Sequence, residues 1–448
     1  MKSTRKALSL VLAGTMIASS LLTGCGSSTS TAASTASSSA QASSVAAQTT
    51  KDMRVGWWGS QSRHDATISV FDTYGKLNNV NFTYEYNSYD SYWETLATQS
   101  VGGHLPDVIQ QVTDQFSSYI NSGLLVDLQP YVDSGVIDTS DIDDVFLSGG
   151  EYKGGLYGIS LGTNVMTIMY NPELFKAAGV DEPKDGWAWS DFVKTARDIY
   201  AATGVQTENV AVGMPRYLFE AMIRSKGQAL YSEDGKDFGF DDETKAELIQ
   251  VLQDCYDLTT EGVFVDPEEQ ILWSDNSERA FCKGEAAMAM NWSSSFVNFS
   301  GQYNLTFDMT TQPVLDDATT QGMYMRPAQF FSVTTSSKDP EAAAAAINYF
   351  VNDLEANTQT LKGERGVPIN TTIRTTLRDS SDETTQKVYD FISDVSEFCR
   401  DNDPSEPAAS RQCVEVLNNN VNEVMYGQMT AEDCINDWMQ QSIEILGA

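Results

Sequence analysis

Gly158-Ile159-Ser160-Leu161-Gly162 matches G-x-S-x-G, the spacing that lifts a serine nucleophile onto a strand-to-helix elbow. On that fold the acid and then the histidine follow the serine along the chain. The two histidines, His64 and His104, both precede Ser160, so a triad of that order cannot be assembled. Two histidines also leave little for a histidine-rich metal centre. No H-E-x-x-H, G-x-x-x-x-G-K-[ST] or G-x-G-x-x-G occurs, which removes the zincin, P-loop and dinucleotide fingerprints. The 62 Asp and Glu can supply a glycosidase pair, but nothing in the sequence separates such a pair from a solvated acidic surface. Asp138-Thr-Ser-Asp141-Ile-Asp143-Asp144 has the acids for calcium and lacks the glycine and spaced Glu of an EF-hand loop. A helix N-terminus with surplus acids is its plainer reading. No cofactor and no metal is expected.

The cysteines divide by position. Leu22-Thr23-Gly24-Cys25 closes an apolar run, Ala7 to Leu22, that follows Lys2, Arg5 and Lys6. The run is short for a membrane span and has signal-peptide flanks. Small residues before Cys25 resemble a bacterial lipobox, so residues 1–24 are expected to be a lipoprotein signal peptide. Cys25 then becomes the lipidated first residue on the extracytoplasmic face of the cell membrane. Residues 26–50 hold no charge and no aromatic group, cannot offset their ordering entropy by burial, and read as a tether. The remaining five cysteines, Cys255, Cys282, Cys399, Cys413 and Cys434, form no C-x-x-C. They read as buried thiols, with one disulfide among Cys399, Cys413 and Cys434 as the alternative.

The 448 residues carry 28 Lys and Arg against 62 Asp and Glu. Removing residues 1–24 takes away three bases and no acid, leaving 25 bases and a net charge of −37. Phosphate binding relies on clustered Lys and Arg, so nucleic acid is not an expected partner. At 41% hydrophobic residues the chain can bury large cores.

The elements that must position any site follow a regular rhythm. Met53–Trp58 reads as a strand, 63–78 as a helix, and Val80, Phe82, Tyr84 and Tyr86 alternate as a strand. Residues 89–101 read as a helix and Pro106–Ile109 as a strand. This βαβαβ order implies a largely parallel sheet, with ligands beyond the carboxyl ends of its strands. Asn171-Pro172-Glu173, Asp339-Pro340-Glu341 and Thr430-x-x-Asp433 mark helix starts, and Ser190 is a candidate cap just after Trp189.

The order of motifs then carries a resemblance. Val55-Gly56-Trp57-Trp58-Gly59, Pro106-Asp107-Val108, Gly123-Leu124-Leu125-Val126-Asp127-Leu128 and Tyr157-Gly158-Ile159 come first. Met169-Tyr170-Asn171-Pro172-Glu173-Leu174-Phe175-Lys176-Ala177-Ala178-Gly179 and Trp189-Ser190-Asp191-Phe192 follow. Phe281-x-x-Gly284-x-Ala286-Ala287-Met288 and Gly366-Val367-Pro368 complete the set. Residues 53–370 resemble the family 1 extracellular solute-binding proteins, the sugar-receptor lipoproteins of ABC importers related to maltose-binding protein. Ser160 departs from the Pro that this family often has after Tyr-Gly-Ile.

The resemblance implies an α/β, two-lobed, class II periplasmic-binding-protein-like fold with the ligand cleft between lobes joined by hinge segments. Crossings are expected near 163–166, 326–331 and 364–369. Lobe one is then 51–164 with 331–365, and lobe two 165–330 with 366–448. The implied function is a non-enzymatic receptor that captures a carbohydrate, an oligosaccharide foremost, and delivers it to ABC permease subunits served by a separate ATPase. A monomer is implied. A receptor for a non-sugar solute and a glycan-active surface enzyme are the alternatives. Sugar recognition needs flat aromatic faces and fixed polar groups. Trp57 and Trp58 end the first strand, and one of the two is expected in the core. Asp114, Asn164 at the first crossing, Tyr217, Glu220, Arg326 at the second crossing and Trp292 complete the candidate set. Trp189 is expected to be core.

Overall fold

The structure, a computed structural model, describes residues 50–273, 275–303, 305–403 and 406–447. The signal peptide, Cys25 and nearly all of the tether lie outside the described residues.

The chain opens with β1 (Lys51–Trp58), α1 (Gln61–Asn78), β2 (Val80–Asn87), α2 (Tyr89–Val101), β3 (Val108–Gln111) and α3 (Thr113–Asn121). Ser60 caps α1 by accepting from the Arg63 N–H, and Asn79 ends it in the left-handed conformation. β3 starts two residues later than the sequence suggests. Pro106 has no N–H for a ladder, and pairing with β1 begins at Val108.

Further along come β4 (Ile159–Asn164), β5 (Met166–Tyr170), α4 (Pro172–Ala178), α5 (Trp189–Thr203), α6 (Pro215–Ser225), α7 (Asp242–Thr260), β6 (Met288–Trp292), β7 (Asp308–Thr311) and β8 (Arg326–Val333). The rest is helical: α8 (Pro340–Asn352), α9 (Thr371–Ser380), α10 (Glu383–Ser396), α11 (Ser410–Met425) and α12 (Ala431–Leu446). Asn171, Asp339 and Thr430 cap their helices as their side chains predict. Ser190 does not. Helix α5 already begins at Trp189 after Ala188, whose methyl group cannot cap, and the orphan Ser190 N–H is taken by the Asp316 carboxylate instead.

Two main sheets result. One runs β2-β1-β3-β8-β4, with β1, β2 and β3 parallel and β8 antiparallel to both its neighbours. Strand alternation divides its side chains between two layers. Val55 and Trp57 face α1 and α8, where Phe71, Phe331 and Phe350 meet with ring centroids 5.0–5.8 Å apart. Trp58 and Ile109 face α2 and α3, where Phe116 stacks on Phe330 at 4.7 Å. The other sheet runs β6-β5-β7, all antiparallel. Trp189, Phe192, Phe219, Phe264 and Trp438 fill a second core beside it.

Only Val165 separates β4 of the first sheet from β5 of the second. Two further segments lie alongside. Arg326 pairs with Asn164, and Thr163 exchanges backbone hydrogen bonds with Val367 at 2.8 and 3.3 Å. Close packing here requires small residues. A Cβ on Gly162 would lie 2.4 Å from the Arg365 carbonyl oxygen, and Gly366 has φ +102°.

Candidate functional site

The junction of the two sheets gathers much of the predicted set. Arg326, at the start of β8, has its guanidinium 5.2 Å from the Tyr217 ring centroid and 5.0 Å from that of Trp292. The two rings meet edge to face at 4.9 Å. The arginine also donates to the Tyr217 hydroxyl and, at 3.2 Å, to Thr113 Oγ1 at the start of α3. Tyr217 comes from α6 and Trp292 from the end of β6, so a cation from β8 is clasped by groups from α3, α6 and β6.

A charged cluster lies behind it. Arg216 donates to Glu220 Oε1 at 2.7–2.8 Å and to Glu406 Oε2 at 2.7 Å. The Tyr324 hydroxyl donates to Glu220 Oε2 at 3.2 Å. Burial pushes the Glu220 carboxyl up against the opposing pull of Arg216. Burial acts the same way on Glu406, but Arg216 outweighs it and holds that carboxyl down at about 2. Glu220 is thus tied within the protein. The space enclosed by Thr113, Arg216, Glu220, Tyr324, Arg326 and Glu406 is about 60 Å³, well under the ~300 Å³ at which ligand pockets begin.

A second group, at the end of β1, is aromatic. Trp58 lies 5.4 Å from Tyr89, 5.2 Å from Tyr92 and 5.5 Å from Trp93. Gln111 ends β3, two residues beyond the last pairing with β1, and pairs with Phe330 of β8. Its side chain is fully buried, yet neither amide atom has a hydrogen-bond partner among the described residues. The same holds for the buried atom Asn164 Oδ1. Unmade hydrogen bonds of this kind cost about 1–3 kcal/mol each, so they mark groups waiting for a partner. Asp114 sits in the first turn of α3, its carboxyl raised by burial and by Glu406 and lowered by Arg326.

Trp57 requires a correction. It is fully buried, donates from Nε1 to His64 Nδ1 at 3.0 Å, and packs on Tyr84 and Tyr86. Strand alternation sends it to the α1 layer while Trp58 faces α2, so Trp57 offers a ligand no face. Sequence reading missed Tyr89, Trp93, Gln111, Arg216 and Glu406. Position at the carboxyl end of β3 was the available signal for Gln111. Arg216 and Glu406 are 190 residues apart and had none.

Ser160 lies within β4, is buried, and donates to the Gly162 carbonyl at 2.7 Å, so G-x-S-x-G forms no elbow here. Asp138 accepts from the Ser140 N–H, Asp141 from the Thr372 N–H, and Asp143 faces Arg374 at 3.7 Å. Among the described residues no cluster of three or more His, Cys, Asp or Glu is placed to hold a metal. All five described cysteines are free thiols, which sets aside the disulfide alternative.

Known proteins agree with this architecture. A solved family 1 extracellular solute-binding protein from Alicyclobacillus acidocaldarius superposes with TM-score 0.76 at 22% identity, over 89% of this chain and 99% of its own. A periplasmic oligogalacturonide-binding protein from Yersinia enterocolitica superposes with TM-score 0.74 at 24% identity, over 88% and 99%. Both likenesses speak for the two-lobed fold. In sequence, the arabinooligosaccharide-binding protein of Bacillus subtilis is 25% identical over 187 residues, 40% of each chain. The curated relatives that the chain matches are spanned over only 31–40% of their own lengths. Residues 69–387 match the family described as bacterial extracellular solute-binding protein. With that match spanning more than half of its length, the chain belongs to the bacterial extracellular solute-binding proteins, a family of binding proteins and not of enzymes.

Proposed function

We propose that this protein captures a carbohydrate, foremost an oligosaccharide, outside the cell and delivers it to a membrane permease. The lobes are 51–164 with 331–365 and 165–330 with 366–448, and the ligand lies between them. Cys25 carries the lipid anchor. One observation supports this reading above the rest: aromatic faces and unpartnered buried polar atoms converge where the two sheets join. Tyr89 and Trp93 offer ring faces beside the buried Trp58, and Tyr217 and Trp292 beside Arg326. Gln111 and Asn164 supply amide groups that suit hydroxyls. Asp114 and Arg326 add charge. The names of the arabinooligosaccharide- and oligogalacturonide-binding relatives point to the same ligand class.

The narrow space beside Arg326 bears on mechanism. A sugar ring needs the walls to part, and a ligand touching both sides then stabilises the state in which they meet. A thermal-shift panel of arabinooligosaccharides and oligogalacturonides, followed by X-ray scattering with the best binder, tests the reading. At 100 times its dissociation constant a ligand raises stability by about 2.7 kcal/mol through mass action. The radius of gyration is expected to fall on saturation. A panel without a binder defeats the carbohydrate assignment, and a tight binder that leaves the scattering unchanged defeats closure.

A further inference from the structure

Beside the Tyr217–Trp292 pair lies a second concavity, of about 420 Å³. That volume falls in the range of small-molecule sites. Met214, Met290 and Trp273 give it apolar surface, and Glu208, Gln270 and Arg279 give it polar groups. Its connection to the junction follows from the elements. Met290 and Trp292 stand two apart on β6, so their side chains share one face about 7 Å apart along the strand. Met214 immediately precedes α6, which carries Tyr217. The Gln312 amide spans the two places, donating to the Tyr217 carbonyl at 3.1 Å and meeting Met290 Sδ at 3.4 Å.

The polar side is built and not merely solvated. Glu208 is buried, accepts from the Phe281 N–H at 3.0 Å and pairs with Arg279. That pairing fixes the arginine while its buried Nε–H remains without a partner among the described residues. The half-buried Trp273 has its ring centroid 5.8 Å from the Arg279 guanidinium. Gln270 is held by two hydrogen bonds of 2.9 Å with the Asn209 backbone. A flat indole, a fixed arginine and an oriented amide together suit a hydroxyl-rich ring.

We propose that this concavity is a further subsite, which receives the next unit of a carbohydrate chain whose first unit lies against Trp292. It rests on the carbohydrate reading above and adds to it a basis for selecting oligosaccharides over monosaccharides. Trp273 is the stacking platform, with Arg279 and Gln270 as the polar groups beside it.

The test is titration calorimetry of the wild-type protein, Trp273→Ala and Trp273→Phe. The probes are arabinose and galacturonic acid, each with its di-, tri- and tetramer. Wild-type affinity is expected to rise with length in the series that binds. Trp273→Ala should weaken the tri- and tetramer roughly tenfold, as loss of an aromatic face implies, and the monomer by less than about twofold. Trp273→Phe should recover most of the loss. An equal loss at every length, or none at any length, overturns the subsite and leaves the carbohydrate reading standing. If no member of either series binds the wild-type protein, both fall.

Discussion

At the residue scale, two tryptophans allow the binding proposal to be tested apart from stability. Trp292 is partly exposed beside Tyr217 and Arg326, whereas Trp189 is buried, stacks on Phe192 at 5.1 Å and donates to Asp254 at 2.8 Å. A sugar ring on an indole hides on the order of 60–100 Å² of apolar surface, worth roughly 1.5–2.5 kcal/mol or ~10- to 70-fold in affinity. Trp292→Ala is expected to lose that much affinity by calorimetry and to melt near the wild-type temperature. Trp189→Ala should lose ~3–5 kcal/mol of stability, the usual result of emptying a large aromatic site. If Trp292→Ala melts early and binds normally, Trp292 belongs to the core. Glu406 gives a pH signature. Its carboxyl, near 2 when folded, lies below its ordinary value of about 4.3, so its contribution is fully present above that value and is lost as pH falls toward 2. Glu220 is shifted upward and works in the opposite sense, regaining stability as pH falls. Denaturant titrations from pH 5 to pH 2 should show a drop in wild-type stability that Glu406→Gln flattens. An unchanged slope in the variant would remove Glu406 from the account.

At the element scale, the joint between the sheets depends on close backbone approach. Gly366 has φ +102°, and a Cβ there would stand 3.3 Å from both Ala328 Cβ and the Thr163 carbonyl oxygen. Gly366→Ala is therefore expected to cost about 1–3 kcal/mol, the scale of strain at a sparsely populated backbone conformation. Thermal melts measure it. A variant as stable as the wild type would show that the third segment relaxes freely. The same packing explains why Pro327 is tolerated in β8. The register shifts between Pro327 and Gln329, so the residue without an N–H sits at an irregularity in the ladder.

At the scale of the whole molecule, the acidic body offers lipid no attraction. Among the described residues no helix is long and apolar enough to cross a membrane. Cys25→Ser is expected to shift the protein from the membrane fraction to the soluble fraction in the producing bacterium. Retention of the variant in membranes would overturn the lipid-anchor proposal.

The strands and helices of residues 51–111, and several later helix starts, were legible because periodicity and capping are local properties. Asn171, Asp339 and Thr430 cap through atoms two or three residues away, and Val80 to Tyr86 alternate because a strand has a period of two. The same period told that Trp57 and Trp58 face opposite ways, but not which faces a ligand. Packing against α1 decided only that Trp57 is sealed in the core, since it puts His64, Tyr84 and Tyr86 on the Trp57 side. The Ser190 cap failed for a related reason: Asp316, 126 residues away, satisfies the N–H that a local cap would have taken. Arg326 between Tyr217 and Trp292, and Arg216 between Glu220 and Glu406, exist only where distant segments meet. The sequence by itself determined which side chains can stack or donate, and in what order the elements run. The tertiary structure alone decided which of those groups are spent on one another and which, like Gln111 and Arg279 Nε, are left buried without a partner. Burial is a property of the packed chain, and an unmade hydrogen bond has a cost only after water has been excluded from it.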